Sequence, residues 1–456
     1  MKTFITFLSV FILASVTASA QDISGRWSGI LEVQNTKLTV VFNISAAENG
    51  YATTMDSPDQ GVTGIPATST VFENSRLKIA VKNAGIEYEA ELKENKLTGI
   101  FRQGGLTLPL NLTKTETEKK ALLRPQEPVK PYPYYTEDVS FPSEKGKITM
   151  AGTLSLPKKD GKFPVVILIS GSGPQNRNEE LMGHKPFLVI SDYLTRNGIG
   201  VLRYDDRGVG QSTGNFQAAT SADFAADAES AIAYLKTRKE ADLNNIGLVG
   251  HSEGGLIAPM VAAKSRDVKF IVLLAGPGLR GDKVLLRQQE VIAKAAGTPQ
   301  NAIDKSIQMN AKLFDMVVAS KDDQKLKAGL TSYLKQSMPD VDSNSVATLV
   351  AQTTSPWMLY FLRYDPSLAL AHVKCPVLAL NGEKDMQVDA DQNLSAIEQA
   401  LKKAGNKDVT TVKISSLNHL FQKCETGAIA EYTRIEQTFY PAALGIMTDW
   451  IKRETK

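Results

Sequence analysis

Between residues 22 and about 114, apolar and polar positions alternate in short runs, at 27–33, 38–44, 77–81, 87–92, 97–101 and 106–112. A period of two is the mark of a strand with one face buried. The Asn-Gly, Asn-Ser, Glu-Asn and Gly-Gly pairs between the runs are turn formers. The pattern predicts six to eight antiparallel strands in a small barrel-like module covering 21–114. That module contains neither His nor Cys, so a nucleophilic or metal site is not expected in it. Ser57-Pro58-Asp59-Gln60-Gly61 reads as an ordinary Pro/Gly turn in preference to a binding loop.

The pattern then changes twice. Residues 115–136 are polar and carry Pro125, Pro128, Pro131 and Pro133, which predicts a stiff, extended linker. Its tyrosines, Tyr132, Tyr134 and Tyr135, offer an aromatic surface for docking onto the next domain. From 137 to 456, strands alternate with helices, which predicts an α/β domain around a largely parallel sheet. Runs at 139–141 and 148–156 form a lead-in antiparallel pair. Continuous apolar runs at 164–169, 200–204, 246–249, 270–274, 376–380 and 409–414 suit strands buried on both faces. Residues from about 280 to 372 interrupt the series with helical periodicity, clearest at 302–318 and 324–336. A helical insertion between two strands predicts a cap over the C-terminal edge of the sheet, where ligands of open α/β sheets bind.

Composition adds a compartment. Lys2, an apolar run over 4–16 and the small residues Ala18-Ser19-Ala20 have the form of a signal peptide over 1–20, cleaved near Ala20. The expected product is exported, periplasmic or secreted, with no membrane span in the mature chain. The 52 basic and 49 acidic residues are interspersed and leave a formal charge of +3, so nothing points to nucleic acid or a polybasic membrane surface. Cys375 and Cys424 are expected to remain free thiols, because they flank different ends of the sheet.

The chemistry lies in Gly250-His251-Ser252-Glu253-Gly254. A G-x-S-x-G string arises by chance in about one of seven chains of this length. Here an apolar strand precedes it and a helix pattern follows it, as required for a nucleophile on a tight strand-to-helix turn. A serine hydroxyl needs a base, and the base an orienting carboxylate. Of four histidines, only His419 follows the last strand. The acid should follow the strand before, which leaves Glu383, Asp385, Asp389 and Asp391. An oxyanion needs two N–H donors. Glu253 supplies one by its position, and the loop Ser170-Gly171-Ser172-Gly173-Pro174 the other. Ser172 is preferred there, with Gly171 and Gly173 as alternatives. Asp205-Asp206-Arg207-Gly208 reads as structural, a carboxylate pairing with Arg207 to hold a loop. Trp357, Tyr360 and Phe361 in the cap are candidates for a substrate pocket, although apolar residues at helical spacing more often build core.

These strings resemble the α/β-hydrolase superfamily over about two-thirds of the chain, and in particular its dienelactone-hydrolase and serine-aminopeptidase-like branches. The resemblance rests on Gly250–Gly255, the Asp-x-Arg-Gly-x-Gly-x-Ser string from Asp205, Gly382-Glu383-Lys384-Asp385 and Asn418-His419. Its Gly-x-x-Asp pattern selects Asp385. One departure is Ser170-Gly171, where many members carry His-Gly, so the pattern does not name the second oxyanion donor. The resemblance is to exported bacterial carboxylesterases with a helical cap, with a looser match to β-modules found ahead of some of them. It implies ester hydrolysis of a small molecule by Ser252, His419 and Asp385, without metal or organic cofactor. Alternatives are an aminopeptidase, prolyl-type peptidase or amidase with the same triad, a thioesterase, or a non-catalytic surface protein working through its β-module.

Overall fold

The computed structural model describes residues 22–456 apart from 34–35, 48–49, 61, 104–105, 116–122 and 144. The signal-peptide reading and residues 116–122 of the linker fall outside them. The chain divides near residue 116 into two compact units.

The first unit is one antiparallel sheet. Its strands are β1 (Gly25–Val33), β2 (Thr36–Ala47), β3 (Gly50–Ser57), β4 (Val62–Pro66), β5 (Ser69–Glu73), β6 (Arg76–Val81), β7 (Ile86–Lys93), β8 (Lys96–Gln103) and β9 (Leu106–Lys114). They lie in the order β4-β3-β2-β1-β9-β8-β7-β6-β5. In β7, Ile86, Tyr88, Ala90 and Leu92 point inward while the intervening charged residues face out. The β5–β6 and β7–β8 turns place Asn74, Ser75, Glu94 and Asn95 at positive φ, as hairpins matching the strand twist require. The sheet curls until Ala67 N donates to Thr53 O at 2.8 Å and Thr70 Oγ1 to Thr53 Oγ1 at 2.8 Å, giving the barrel-like form. Nine strands are described where six to eight were predicted. The missed ones, β3 to β5, are short or rich in Thr, Ser and Gly, and β3 buries the polar Thr53, Asp56 and Ser57.

The second unit has the α/β-hydrolase fold. Its strands are β10 (Tyr135–Ser143), β11 (Ile148–Leu156), β12 (Phe163–Ile169), β13 (Gly200–Tyr204), β14 (Ala241–His251), β15 (Phe270–Leu274), β16 (Val377–Gly382) and β17 (Val409–Ile414). They run in the order β10-β11-β13-β12-β14-β15-β16-β17. The β10–β11 and β11–β13 pairs are antiparallel and the rest parallel. All eight coincide with predicted runs, and the central ones, such as β12, β13 and β15, are almost wholly apolar because they are covered on both faces.

The helices are α1 (Pro186–Arg196), α2 (Ser221–Leu235), α3 (Glu253–Ala262), α4 (Gly281–Ala295), α5 (Gln300–Ala319), α6 (Asp323–Ser337), α7 (Ser343–Thr353), α8 (Pro356–Arg363), α9 (Pro366–Leu370), α10 (Ala390–Lys403), α11 (Ile429–Tyr432) and α12 (Pro441–Glu454). One sheet face packs on α2, α3 and α10, the other on α1 and α12. The helices α4 to α8 make the cap, whose own core includes Phe314, Val317, Leu330, Leu334, Val346 and Leu362, whereas α9 packs on α3 and α10 with Leu370 in the hydrolase core. Asp322, Asp342 and Ser355 cap α6, α7 and α8 with side-chain hydrogen bonds. Among the described residues no helix is long and apolar enough to cross a membrane.

The second half of the proline-rich segment is tied down within this unit. Arg124 Nε donates to Gly183 O at 2.9 Å, and Gln126 Oε1 accepts from Thr438 N at 2.7 Å. The parallel strands β12, β14, β15, β16 and β17 end at one sheet edge. The loops leaving that edge carry the residues singled out above.

Candidate active site

Ser252 occupies the one-residue turn between β14 and α3, at φ 51° and ψ −116°. A residue with a Cβ pays conformational energy there, a cost met at functional turns. The flanking glycines permit it. A Cβ on Gly250 would stand 2.0 Å from Gly254 O, and one on Gly254 would stand 2.0 Å from Ile169 O. Ser252 N is held by Leu274 O at 2.8 Å.

His419 Nδ1 donates to Asp385 Oδ2 at 2.7 Å, with both side chains buried. Asp385 lies just past β16, and its second oxygen accepts from Gln387 N at 2.8 Å and Val388 N at 2.9 Å. Three fixed donors therefore orient the carboxylate. Past β17, Asn418 Oδ1 accepts from Leu420 N and Gln422 N, folding a tight loop that presents His419. The other candidate acids have other partners. Glu383 accepts from Ser415 Oγ and Ser416 N, Asp389 caps α10 and pairs with Arg287, and Asp391 pairs with Lys413. Ser252 Oγ and His419 Nε2 make no hydrogen bond to each other in the structure. Their neighbourhood is set by His251, adjacent to Ser252 in sequence, whose ring centroid is 4.8 Å from that of His419.

The Ser170–Gln175 loop, leaving β12, lies against the serine: a Cβ on Gly171 would be 3.2 Å from Ser252 Cβ. Gly171 N is engaged by Glu179 Oε1 at 2.8 Å. The amides of Ser172 and Glu253 donate to no other group among the described residues. The loop is held by Asp206, whose carboxylate accepts from Ser170 Oγ at 2.7 Å and Gln175 N at 2.9 Å. Burial, with the charges of Glu253 and Glu179 nearby, pushes Asp206 up to about 8. Asp205 is bound by Arg177 and by Gln211 N. Arg207 turns instead to Asp227 on α2, which takes its Nε at 2.7 Å and Nη2 at 2.8 Å.

Two groups beside the serine were not picked out in the sequence. Glu179, buried and at φ 51°, also accepts from His251 Nδ1 at 2.9 Å. His251 Nε2 donates to His419 O at 2.9 Å. Burial opposes charge on His251, but the Glu179 carboxylate and the hydrogen bonds outweigh it and hold the imidazole above its ordinary value. The Glu253 side chain, 2% exposed, accepts from Ser221 Oγ at 2.5 Å and from Trp357 Nε1 at 2.8 Å. Burial raises its carboxyl, against the pull of those two donors.

In the cap, Trp357 stacks on Phe361 with centroids 5.1 Å apart, and Phe361 is buried against Gly281. Tyr360 stacks on Tyr364 and lines an open cavity of about 420 Å³ with Thr220, Pro356, Leu359 and Arg363. Trp357 and Phe361 do not line it. The remaining histidines have other roles: His184 is buried between Thr438 Oγ1 and Tyr432 O, and His372 is exposed. Cys375 and Cys424 are free.

The model of the family described as serine aminopeptidase, S33, matches residues 186–423. Esterase EstD of Thermotoga maritima is 26% identical over 329 residues, covering 72% of this chain and 67% of that protein. An uncharacterized 31.7 kDa protein of Escherichia coli is 23% identical over 308 residues, covering 67% of this chain and 96% of its own. Among solved structures, an esterase of Pyrococcus furiosus aligns with a TM-score of 0.45 at 16% identity, over 74% of this chain and 99% of that one. Est1E of Butyrivibrio proteoclasticus, with ferulic acid bound, aligns with a TM-score of 0.40 at 19% identity, over 70% of this chain and 97% of that one.

Proposed function

The chain belongs to the serine aminopeptidase (S33) family of α/β-hydrolases, and from that premise we propose that it is an exported serine carboxylesterase acting through an acyl-enzyme. The observation that carries the reading is the buried 2.7 Å bond between His419 and Asp385, on loops neighbouring the Ser252 turn. Ser252 Oγ attacks the ester carbonyl as His419 Nε2 takes its proton. Asp385 fixes the tautomer with Nδ1–H and stabilises the imidazolium. The amides of Glu253 and Ser172 donate to the developing oxyanion, an arrangement in which one donor is worth about 10²–10³ in rate. His419 then hands the proton to the departing alcohol, and the carbonyl reforms as the acyl-serine. A water, deprotonated by His419, attacks that ester, and Ser252 leaves with the proton restored.

Cleavage of a peptide from its amino end would need a group, such as a free carboxylate, to recognise the substrate amine. Glu179, Asp206 and Glu253 are buried carboxylates of this site, and each is engaged by internal donors. That favours esters, as does the name of the Thermotoga relative. The export reading rests on Lys2, the apolar run and Ala18-Ser19-Ala20. The test is a panel of short p-nitrophenyl esters and aminoacyl p-nitroanilides on the purified protein. Faster turnover of the anilides would overturn the ester reading.

A further inference from the structure

We propose that Glu179 and His251 form a second carboxylate–imidazole pair, which holds the oxyanion loop and the His419 loop in register on either side of Ser252. The inference rests on the esterase reading and assigns its positioning residues. Three hydrogen bonds define the pair. Glu179 Oε1 accepts both Gly171 N at 2.8 Å and His251 Nδ1 at 2.9 Å, and His251 Nε2 reaches His419 O at 2.9 Å. The first link anchors the loop after β12, the second the nucleophile turn, and the third the backbone of the catalytic base. Taking Gly171 N out of play leaves Ser172 N and Gly173 N as the loop amides that could meet an oxyanion.

Hydrogen-bond arithmetic explains why this should be a charged pair. Both partners of the His251 ring are acceptors, a carboxylate and a carbonyl, so both ring nitrogens must carry hydrogen. An imidazolium so deeply buried requires a counter-charge, and Glu179 supplies it. The groups facing the ring are Glu179, the His419 ring and, farther off, the Asp385 carboxylate, which favours the cation. Pro186, Phe187, Ile190, Leu274, Leu420 and Phe439 line a void beside Glu179 and His251 that is too small to hold a water. Glu179→Gln shows the constraint. If the amide oxygen keeps Gly171 N and His251 Nδ1–H, the neutral ring presents a bare Nε2 to His419 O. If the amide nitrogen faces the ring instead, Gly171 N loses its acceptor. One of the three links must fail.

The test combines Glu179→Gln, His251→Asn and the double variant with steady-state kinetics on a p-nitrophenyl ester. Displacing catalytic groups by a fraction of an ångström to one ångström costs up to about 10²-fold. The expected result is a kcat loss of about 10–100-fold in each single variant with KM within about twofold, and no further loss in the double variant. Unchanged kcat, a rise in KM alone, or losses that multiply would overturn the proposal. Ring-15N histidine NMR of the wild type tests it independently of variant folding: both His251 nitrogens should be protonated at neutral pH, and a bare one would contradict the pair. Fluorophosphonate should label Ser252 more slowly in Glu179→Gln, by the same factor as kcat. Equal labelling rates would overturn this inference alone, whereas a wild type not labelled at Ser252 would overturn the esterase reading and this inference with it.

Discussion

Trp357, on the cap helix α8, donates its indole N–H to the buried carboxylate of Glu253 at 2.8 Å. Glu253 is the residue directly after Ser252, and its own amide is the proposed oxyanion donor. One residue thus links the cap to the nucleophile turn. Its second side-chain donor, Ser221 Oγ, comes from the N-terminus of α2. The sheet, a surface helix and the cap meet at a single carboxylate.

Trp357→Phe keeps an aromatic ring for the stack on Phe361 but removes one of the two donors to the buried Glu253 Oε1, leaving Ser221 Oγ as the other. Loss of one partner of a buried hydrogen bond costs about 1–3 kcal/mol. The expected outcome is a melting temperature lowered by several degrees and a changed KM, read by thermal denaturation and ester kinetics. An unaltered melting temperature would show that the link contributes nothing to cap docking.

Asp385→Asn preserves shape but lets the His419 ring adopt the wrong tautomer, so kcat should fall by about 10²–10⁴-fold. Glu383→Gln, Asp389→Asn and Asp391→Asn alter carboxylates bound elsewhere and should leave kcat within about threefold. Parallel kinetics on the four variants separates the candidates that the sequence leaves open. A large kcat loss in Glu383→Gln with little loss in Asp385→Asn would reverse the assignment.

How far the sequence carried depends on the physics of each part. The central strands of the hydrolase sheet are legible because sequences such as Val165-Val166-Ile167-Leu168-Ile169 have no polar face to show. Gly250 and Gly254 were legible because a Cβ at either would collide with backbone. Strands β3 to β5 were not, since Thr-rich runs lack the alternation that marks a strand. Glu179 lies 73 positions before Ser252, and no local pattern reports a contact closed only by the fold. The one available signal was the polar run Asn176-Arg177-Asn178-Glu179, lying where a strand-to-helix loop could carry side chains inward. His251 was passed over because its neighbour explained the motif. Trp357 was read by helical spacing as pocket or core, and spacing says nothing about an indole N–H.

His184 tests burial in a different place. Desolvation lowers its imidazole from 6.5 to about 4, outweighing the bond to Tyr432 O. Between those values the unfolded chain binds a proton that the folded chain does not, so stability is complete above about pH 6.5 and declines as pH falls toward about 4. Thermal midpoints across that window should fall more steeply for wild type than for His184→Gln. Parallel curves would contradict the buried neutral ring.

Asp206 has the opposite sign. Its folded-state carboxyl stands at about 8 against an ordinary 3.8, so between those values the folded chain holds the extra proton and stability declines as pH rises. Asp206→Asn can accept from Gln175 N and donate to Ser170 Oγ, so it should keep activity and flatten the alkaline decline. Asp206→Ala removes both anchors of the oxyanion loop and should lower kcat by about 10-fold or more. Melting curves from about pH 6 to pH 9, paired with ester kinetics, check both. A fully active Asp206→Ala would detach this carboxylate from the site.

The central claim is that Ser252 is the nucleophile, and ester turnover by Ser252→Ala tests it most directly. In that variant kcat on a short p-nitrophenyl ester should fall by about 10³–10⁶-fold while the protein stays folded. Turnover by the folded Ser252→Ala protein within a few-fold of wild type would contradict it.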